Sequence, residues 1–543
     1  MRSVLLLLAL AVPLCAQSNA DLRAAFDKLA ADNAALARVT DMRAGLYAVS
    51  LGNREKPAVL VLGSLRGDEA SPATGCLELA RALLADAETR KLLESTEVII
   101  VPVPNPRGRD RLSGKPALAM PGAAMPHDDD RDGVSDEDGP ADINGDGVIT
   151  QMRVRRAGGK YVVGEKDPRL LVPVKPGQVG EYDLYWEGVD DDGDGRINED
   201  PPGTITLSND WSIRFSDSQP GAARFAMQQP ETRALAEFAL GNPRIYAAFQ
   251  VGAVGGAVSF AKGPPARGAN PYKRDGELAA ALTKAFGDGK SAVMPEADGA
   301  GNVVDWLYEC GGVLAASVYL ASIPAAKKPD DKDEDEEHDS PEMGTESSPR
   351  GERGSATDAG SADLAWLAYS PESFREWKPF KHAQLGDVEI GGWAIASRRD
   401  AKAAELAEGA SRLTELVRKT LNSAPRSAVS KLEVQDRGGG VYRVRATLHN
   451  AGALDYRSAF ATENRIGLPL FVSLGDAKGI ELFSGERRQR FENIAGGATA
   501  TCEWVVRTSD PKLNLDILIE ARRSGSVRHS QAIEKCEKLS EEE

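Results

Sequence analysis

The sequence predicts an α/β fold, a mixed sheet flanked by helices, followed by a C-terminal all-β sandwich, on three observations. Short apolar runs alternate with amphipathic helical stretches through the first three fifths of the chain. Beyond Pro425 the pattern changes to a period of two, as in Val441-Tyr442-Arg443-Val444-Arg445-Ala446-Thr447-Leu448, with Gly, Asn and Asp at the turns. Finally, 543 residues exceed what one core serves at roughly 100–200 residues per domain.

In chain order, residues 1–20 have the layout of a secretory leader: Arg2, an apolar run from Val4 to Leu14, then small residues at Ala16 and Ala20. Cys15 follows the bulky Leu14, where lipoprotein signals place a small residue. Residues 21–39 carry helical periodicity and good helix formers. Strands are expected over 45–51 and 58–62, an amphipathic helix over 72–85 and a buried strand over 97–103. The alternation continues with a helix over 230–240, a strand over 245–251, a helix over 276–286 and a strand over 313–320. These elements and an insertion, 121–202, make a domain spanning 21–324.

Residues 325–363 change to Asp, Glu, Ser, Gly and Lys, with an acidic run from Asp330 to Glu337 at the centre. Such a composition buries too little apolar surface to offset its ordering entropy, so disorder is expected. Residues 364–425 return to the α/β domain and include a helix over 401–421; the sandwich takes 426–543.

The net charge of −16 argues against nucleic acid or an anionic membrane as a partner. No run after the leader is long and apolar enough to span a bilayer, so the mature protein is expected to be exported, periplasmic or extracellular. Cys76, Cys310, Cys502 and Cys536 then allow three disulfide pairings or four separate thiols, and their spacing does not choose.

Three acidic loops share one spacing. They are Asp128-x-Asp130-x-Asp132-Gly133, Asp142-x-Asn144-x-Asp146-Gly147 and Asp190-x-Asp192-x-Asp194-Gly195. Oxygen ligands at positions one, three and five with Gly at six form half of an EF-hand-type calcium cage. Asp136, Thr150 and Asn198 fall at position nine. The usual Glu at position twelve is replaced by Gly139, Arg153 and Pro201, so further ligands must come from neighbours such as Glu137, Asp138, Glu199 or Asp200. Calcium is expected here as a structural ion that staples a polar insertion.

After the run 58–62, Gly63-Ser64-Leu65-Arg66-Gly67-Asp68-Glu69 resembles the strand-to-loop zinc motif of zinc carboxypeptidases of the carboxypeptidase A type. Asn105-Pro106-Arg107-Gly108 resembles that family's Asn-Pro-Asp-Gly, and Gln229-Pro230-Glu231-Thr232-Arg233 its Glu-Pro-Glu-Thr-Arg. Asp305-Trp306-Leu307-Tyr308 is similar to its Asp-Trp-x-Tyr helix. The acidic loops sit where a bacterial secreted subgroup carries similar insertions. The likeness implies a carboxypeptidase-like sheet over about residues 58–322.

It also implies where the chemistry departs. The family's His-x-x-Glu is Arg66-x-x-Glu69 here, and its second zinc-ligand His corresponds to Gln250. Tyr319, in Ser317-Val318-Tyr319-Leu320, stands at the position of the catalytic Glu. The Asn and Arg that clamp the substrate carboxylate become Ser208 and Asn209. A guanidinium has no lone pair to give zinc, and a phenol of ordinary pKa about 10 is a poor base at neutral pH. Of the five histidines, His127, His338, His382, His449 and His529, only His127 falls inside the resembling segment. Glu69 therefore reads either as a surviving ligand or as an ion-pair partner of Arg66, and Gln250 as a hydrogen-bonding strand residue. The glycines over 252–256 lack a dinucleotide spacing and read as a tight turn. There is no Gly-x-Ser-x-Gly elbow.

Zinc is thus doubtful and calcium expected. The leading expectation is an exported, catalytically degenerate peptidase homologue that binds peptide or cell-envelope material. Against it stand an active zinc metallocarboxypeptidase removing C-terminal residues, and an architectural surface protein.

Overall fold

The structure, a computed structural model, describes residues 17–123, 125–126, 128, 132–256, 258–261, 263, 272–286, 301–323, 356–396 and 400–539. It opens with α1 (Asn19–Asp32), whose Ser18 and Asp21 form a capping box. Residues 17–20, expected to leave with the leader, are built into the fold. Arg109 donates to Asn19 Oδ1 at 2.7 Å and to the Gln17 carbonyl at 3.1 Å.

The helix expected over 21–39 stops at Asp32, because β1 (Ala37–Asp41) pairs antiparallel with β2 (Tyr47–Gly52). Strand pairing gives residues 37–41 backbone partners that an exposed last helical turn would lack. Next come β3 (Ala58–Leu62), α2 (Ser71–Ala85), α3 (Ala87–Ser95), β4 (Glu97–Val101) and α4 (Pro106–Asp110). The insertion holds β5 (Gln151–Gly159), β6 (Tyr161–Val163), β7 (Leu171–Pro173) and β8 (Gly180–Trp186). The α/β part resumes with α5 (Pro230–Gly241), β9 (Ile245–Val254), β10 (Val258–Phe260), α6 (Lys273–Thr283), α7 (Val303–Glu309) and β11 (Leu314–Ala321).

Seven strands form one mixed sheet in the order β1-β2-β4-β3-β9-β11-β10, with β4, β3, β9 and β11 parallel to one another. β3 and β4 are buried on both faces, which is why they read as unbroken apolar runs. Val59, Val61, Val98 and Ile100 face a layer that includes Leu77 and Leu83 of α2. Leu60, Leu62, Ile99 and Val101 face Leu235 of α5 and Trp306 of α7.

A second sheet, β12-β13-β5-β8-β6-β7, joins the insertion to β12 (Phe374–His382) and β13 (Gly386–Trp393). Pattern does not predict it, because charge and glycine interrupt the alternation, as in Gln-Met-Arg-Val-Arg-Arg-Ala-Gly-Gly of β5. Most of the segment expected to be disordered, 325–363, lies outside the described residues. Its last part does not follow the expectation: α8 (Ala356–Tyr369) starts there, and Ala365, Trp366 and Leu367 bury in the main core. That burial offsets the ordering cost. α9 (Ala403–Asn422) then lays Leu413, Leu416 and Val417 into the same layer.

The C-terminal strands are β14 (Ser427–Asp436), β15 (Val441–Asn450), β16 (Leu470–Leu474), β17 (Glu481–Ser484), β18 (Arg488–Phe491), β19 (Thr499–Arg507), β20 (Asn514–Glu520), β21 (Val527–Ala532) and β22 (Glu537–Lys538). They make a five-stranded sheet, β17-β19-β15-β14-β22, and a four-stranded one, β18-β16-β20-β21. Val444 and Trp504 from the first meet Val472 and Ile517 from the second in a shared core. A short helix, α10 (Ala459–Glu463), docks this unit on the α/β part. Asp275 accepts from Tyr308 Oη at 2.7 Å, Ala459 N at 2.7 Å and Phe460 N at 3.1 Å. The four cysteines considered for pairing are separate thiols.

Candidate functional site

In a parallel sheet, ligand-binding loops collect at the carboxyl ends of the strands. Arg66, Glu69, Gln250 and Tyr319 all lie there, on or just beyond β3, β9 and β11. Gln250 is in register with Leu62 on one side and Ser317 on the other, and Tyr319 is in register with Gly252.

The loop from β3 into α2 is held by carboxylates. Asp400 accepts from Ala70 N at 2.9 Å and Ser71 N at 2.7 Å, so it satisfies amides that the start of α2 would otherwise leave orphaned. Arg66 spends its fork on Asp68, with Nε to Oδ1 at 2.9 Å and Nη2 to Oδ2 at 2.8 Å. Arg66 Nε stands 3.8 Å from Glu69 Oε1. Glu69 Oε2 accepts from Ala253 N at 3.2 Å, three residues beyond Gln250, the last β9 residue that pairs with β3. The glutamate thus prolongs the ladder where the strand has ended. Burial pushes its carboxyl up to about 8, with Asp68 and Asp400 adding to the rise and Arg66 opposing it.

The turn expected of the glycines over 252–256 falls at its end, at Gly255 and Gly256 between β9 and β10, whereas Gly252 lies within β9, which continues through Val254. The glycine makes room for the Tyr319 ring. A Cβ on Gly252 would lie 2.6 Å from Tyr319 Cδ1, and one on Gly255 2.7 Å from the same atom. Tyr319 is buried against β9.

Ser208 and Asn209 belong to a separate one-turn 3₁₀ segment, Leu207–Asn209, where Asn209 Nδ2 donates to the Pro220 carbonyl at 2.9 Å. The next residue, Asp210, is fully buried and accepts from Gln228 N and Gln229 N, both at 2.9 Å, fixing the approach to α5.

A zinc ion does not fit this donor set. Zinc in hydrolases needs about three protein lone-pair ligands and an open water position. Arg66 offers none, Glu69 is committed to a backbone amide, and Tyr319 packs on glycine. The resemblance to the zinc carboxypeptidases points to Arg66, Glu69, Gln250 and Tyr319; it does not point to Asp68, Asp400 or Ala253 as their partners. Asp68 carries a local signal, since it stands two residues from a half-buried arginine whose guanidinium calls for a carboxylate. Asp400 carries none, because its partners are some 330 positions away.

The acidic loops are the other chemically distinctive region. Asp130 and His127 lie outside the described residues. In the first loop Gly133 N donates to Asp128 Oδ2 at 3.3 Å and Val134 N to Asp132 Oδ1 at 2.7 Å. In the middle loop Asp142 accepts from Gly145, Asp146 and Gly147, and Asn144 from Asp146. The third repeats this, with Asp190 accepting from Gly193 and Gly195, and Asp192 from Asp194. The position-six glycines Gly133, Gly147 and Gly195 have φ of 104°, 87° and 91°, which a side chain would strain. The middle loop is closed by Glu187, fully buried, which accepts from Ile143, Asn144 and Thr150. Burial, then the neighbouring Glu199, push the Asp138 carboxyl up to about 7.

Residues 33–119 match the zinc carboxypeptidase family, and residues 426–532 match a domain of unknown function (DUF8731). The segment matched to the zinc carboxypeptidase family contains the Arg66 loop. No curated protein matches. Among solved structures the chain is similar to bovine thrombin-activatable fibrinolysis inhibitor bound to tick carboxypeptidase inhibitor, at 12% identity over 56% of this chain and 85% of that one, TM-score 0.32. It is similar also to carboxypeptidase A from Helicoverpa armigera, at 12% identity over 58% and 67%, TM-score 0.35. A metallo-carboxypeptidase from Burkholderia cenocepacia shares 14% identity over 56% and 60%, TM-score 0.32.

Proposed function

We propose that this chain is a catalytically degenerate carboxypeptidase homologue that binds peptide or cell-envelope material without hydrolysing it. The observation that carries the reading is the bidentate Arg66–Asp68 pair, 2.9 and 2.8 Å, at the place where the family keeps a metal ligand. A permanently charged, doubly bonded guanidinium supports recognition by charge and hydrogen bonding rather than Lewis-acid chemistry. Glu69 supports the same reading, since a buried carboxyl held near 8 is mostly protonated at neutral pH. The leader-like residues 1–16 support export, and the acidic loops are read as structural calcium sites in the insertion.

The test is the metal content of the purified protein after dialysis against mixed zinc and calcium, together with release of C-terminal residues from model peptides. Calcium without zinc, and no release, is the expected result. Stoichiometric zinc with release of C-terminal residues would establish the active-peptidase reading instead.

A further inference from the structure

We propose that the first and third acidic loops are two halves of one binding site for divalent cations of the calcium class, with the Asp192 carboxylate shared between two ligand clusters. The proposal rests on the calcium reading of the loops and is independent of what the cleft binds.

Carboxylate oxygens of Asp190, Asp192 and Asp194 lie within 4.8 Å of one another, and so do those of Asp132, Glu137 and Asp192. The second cluster takes two residues from the first loop and one from the third. Oxygens around one calcium ion sit at about 2.3–2.6 Å from it, so separations up to about twice that suit a common ion.

The loops are also joined by a reciprocal exchange. Asp138 and Asp200, each at position eleven of its loop, form an antiparallel bridge. Asp136 N donates to Asp200 Oδ2 at 3.1 Å, and Asn198 N donates to Asp138 Oδ2 at 3.2 Å. Asp136 and Asn198 hold the same position nine and the same left-handed backbone, φ 58° and 57°. Neither loop is complete alone.

An independent observation points to a cation. Asp138 has no exposed surface, and its Oδ1 has no hydrogen-bond donor. It faces Glu199, whose Oε2 is buried and without a donor as well. Glu137 faces Asp200 in the mirror arrangement, and Glu137 Oε2 and Asn198 Oδ1 are likewise buried without donors. Facing carboxylates out of water are costly unless a cation or a proton lies between them. Among the described residues of 128–138 and 190–200 there are eleven acidic side chains and one basic, Arg196, which is engaged with Asp194 at 3.4 Å. Arg111, which acts on Asp136, does not balance that charge. All-oxygen donors provided mainly by protein suit calcium better than magnesium, which keeps its waters and demands a tighter octahedron. The middle loop stands apart: it offers two carboxylates, and its closing Glu187 is occupied by backbone amides.

The test uses the full chain, stripped with chelator and titrated calorimetrically with calcium chloride and, separately, magnesium chloride. Asp192 is exposed, so Asp192→Asn removes a ligand without disturbing the core. It is expected to weaken calcium binding about tenfold or more, whereas Asp146→Asn in the middle loop leaves that binding event in place. Asp138→Asn gives a reading with opposite signs: in chelator it should raise the melting temperature by relieving the facing carboxylates, and it should shrink the rise that calcium produces. Absence of calcium binding by the unaltered chain would overturn the calcium reading and this site together. Calcium binding that Asp192→Asn leaves unchanged, or a preference for magnesium, would overturn the shared site alone. A fall in the chelator melting temperature for Asp138→Asn would mean that a proton already bridges the pair, and the cation proposal would fail.

Discussion

Replacing Glu69 with glutamine isolates the electrostatic state of the cleft. In the fold, burial holds this carboxyl at about 8, against 4.5 for an ordinary glutamate. The unfolded chain therefore gives up its proton first. Between about pH 4.5 and 8 the folded state binds more protons than the unfolded one, so stability is fully present below that window and is lost as pH rises through it. At 1.36 kcal/mol per pH unit the loss reaches on the order of 4–5 kcal/mol by pH 8. Glu69→Gln keeps an oxygen for the Ala253 amide and removes the titration. Asp138 also titrates high, but it does so in both proteins and cancels in the difference. Asp400 and Glu69 repel each other when ionised, so losing the Glu69 charge relaxes part of the Asp400 rise and adds to the difference with the same sign. The assay is urea unfolding from pH 5 to pH 9, followed by the fluorescence of the buried pair Trp211 and Trp306, whose rings lie 4.9 Å apart. The variant should match the parent near pH 5 and gain on it steadily up to pH 8. Parallel curves, or a parent that gains stability with pH relative to the variant, would show that Glu69 is an ionised carboxylate. The case against a metal-free cleft would then reopen.

The double change Arg66→His and Gln250→His should restore a His, Glu, His donor set and with it measurable zinc binding by dialysis, with hydrolysis appearing only after Tyr319→Glu is added. A folded double variant that takes up no zinc would mean that the committed Glu69–Ala253 bond has closed the site. Asp275→Ala should destabilise the junction of the two parts by about 3 kcal/mol or more, since it strands two amides and a phenol in the interior. Separate melting of the sandwich, monitored by calorimetry, is the expected signature; a single unchanged transition would contradict it.

What the sequence discloses depends on whether residue type alone decides the outcome. β3, β4, β9 and β11 are buried on both sides, so hydrophobicity is enough to locate them. The edge strand β1 and the six strands of the second sheet are not, because their alternation is broken and their pairing partners lie as much as 240 residues away, as with Gln151 and Gly391. The same division runs through the site. That Arg66 cannot ligate zinc follows from its having no lone pair, and that each acidic loop can offer oxygens follows from its spacing. Which of two roles Glu69 takes does not follow from its type; it turns on the Ala253 amide, which is left unpaired by β3 because that strand ends at Leu62. The joint between the first and third loops has the same origin. Asp138 and Asp200 are ordinary acidic residues within their own loops, and only the backbone bridge across 62 residues brings Asp138 against Glu199 and Asp200 against Glu137. In both places the missing information is a backbone partner brought in by topology. It follows that substitutions at such partners, rather than at the conspicuous side chains alone, are where the reading of this protein is most exposed to test.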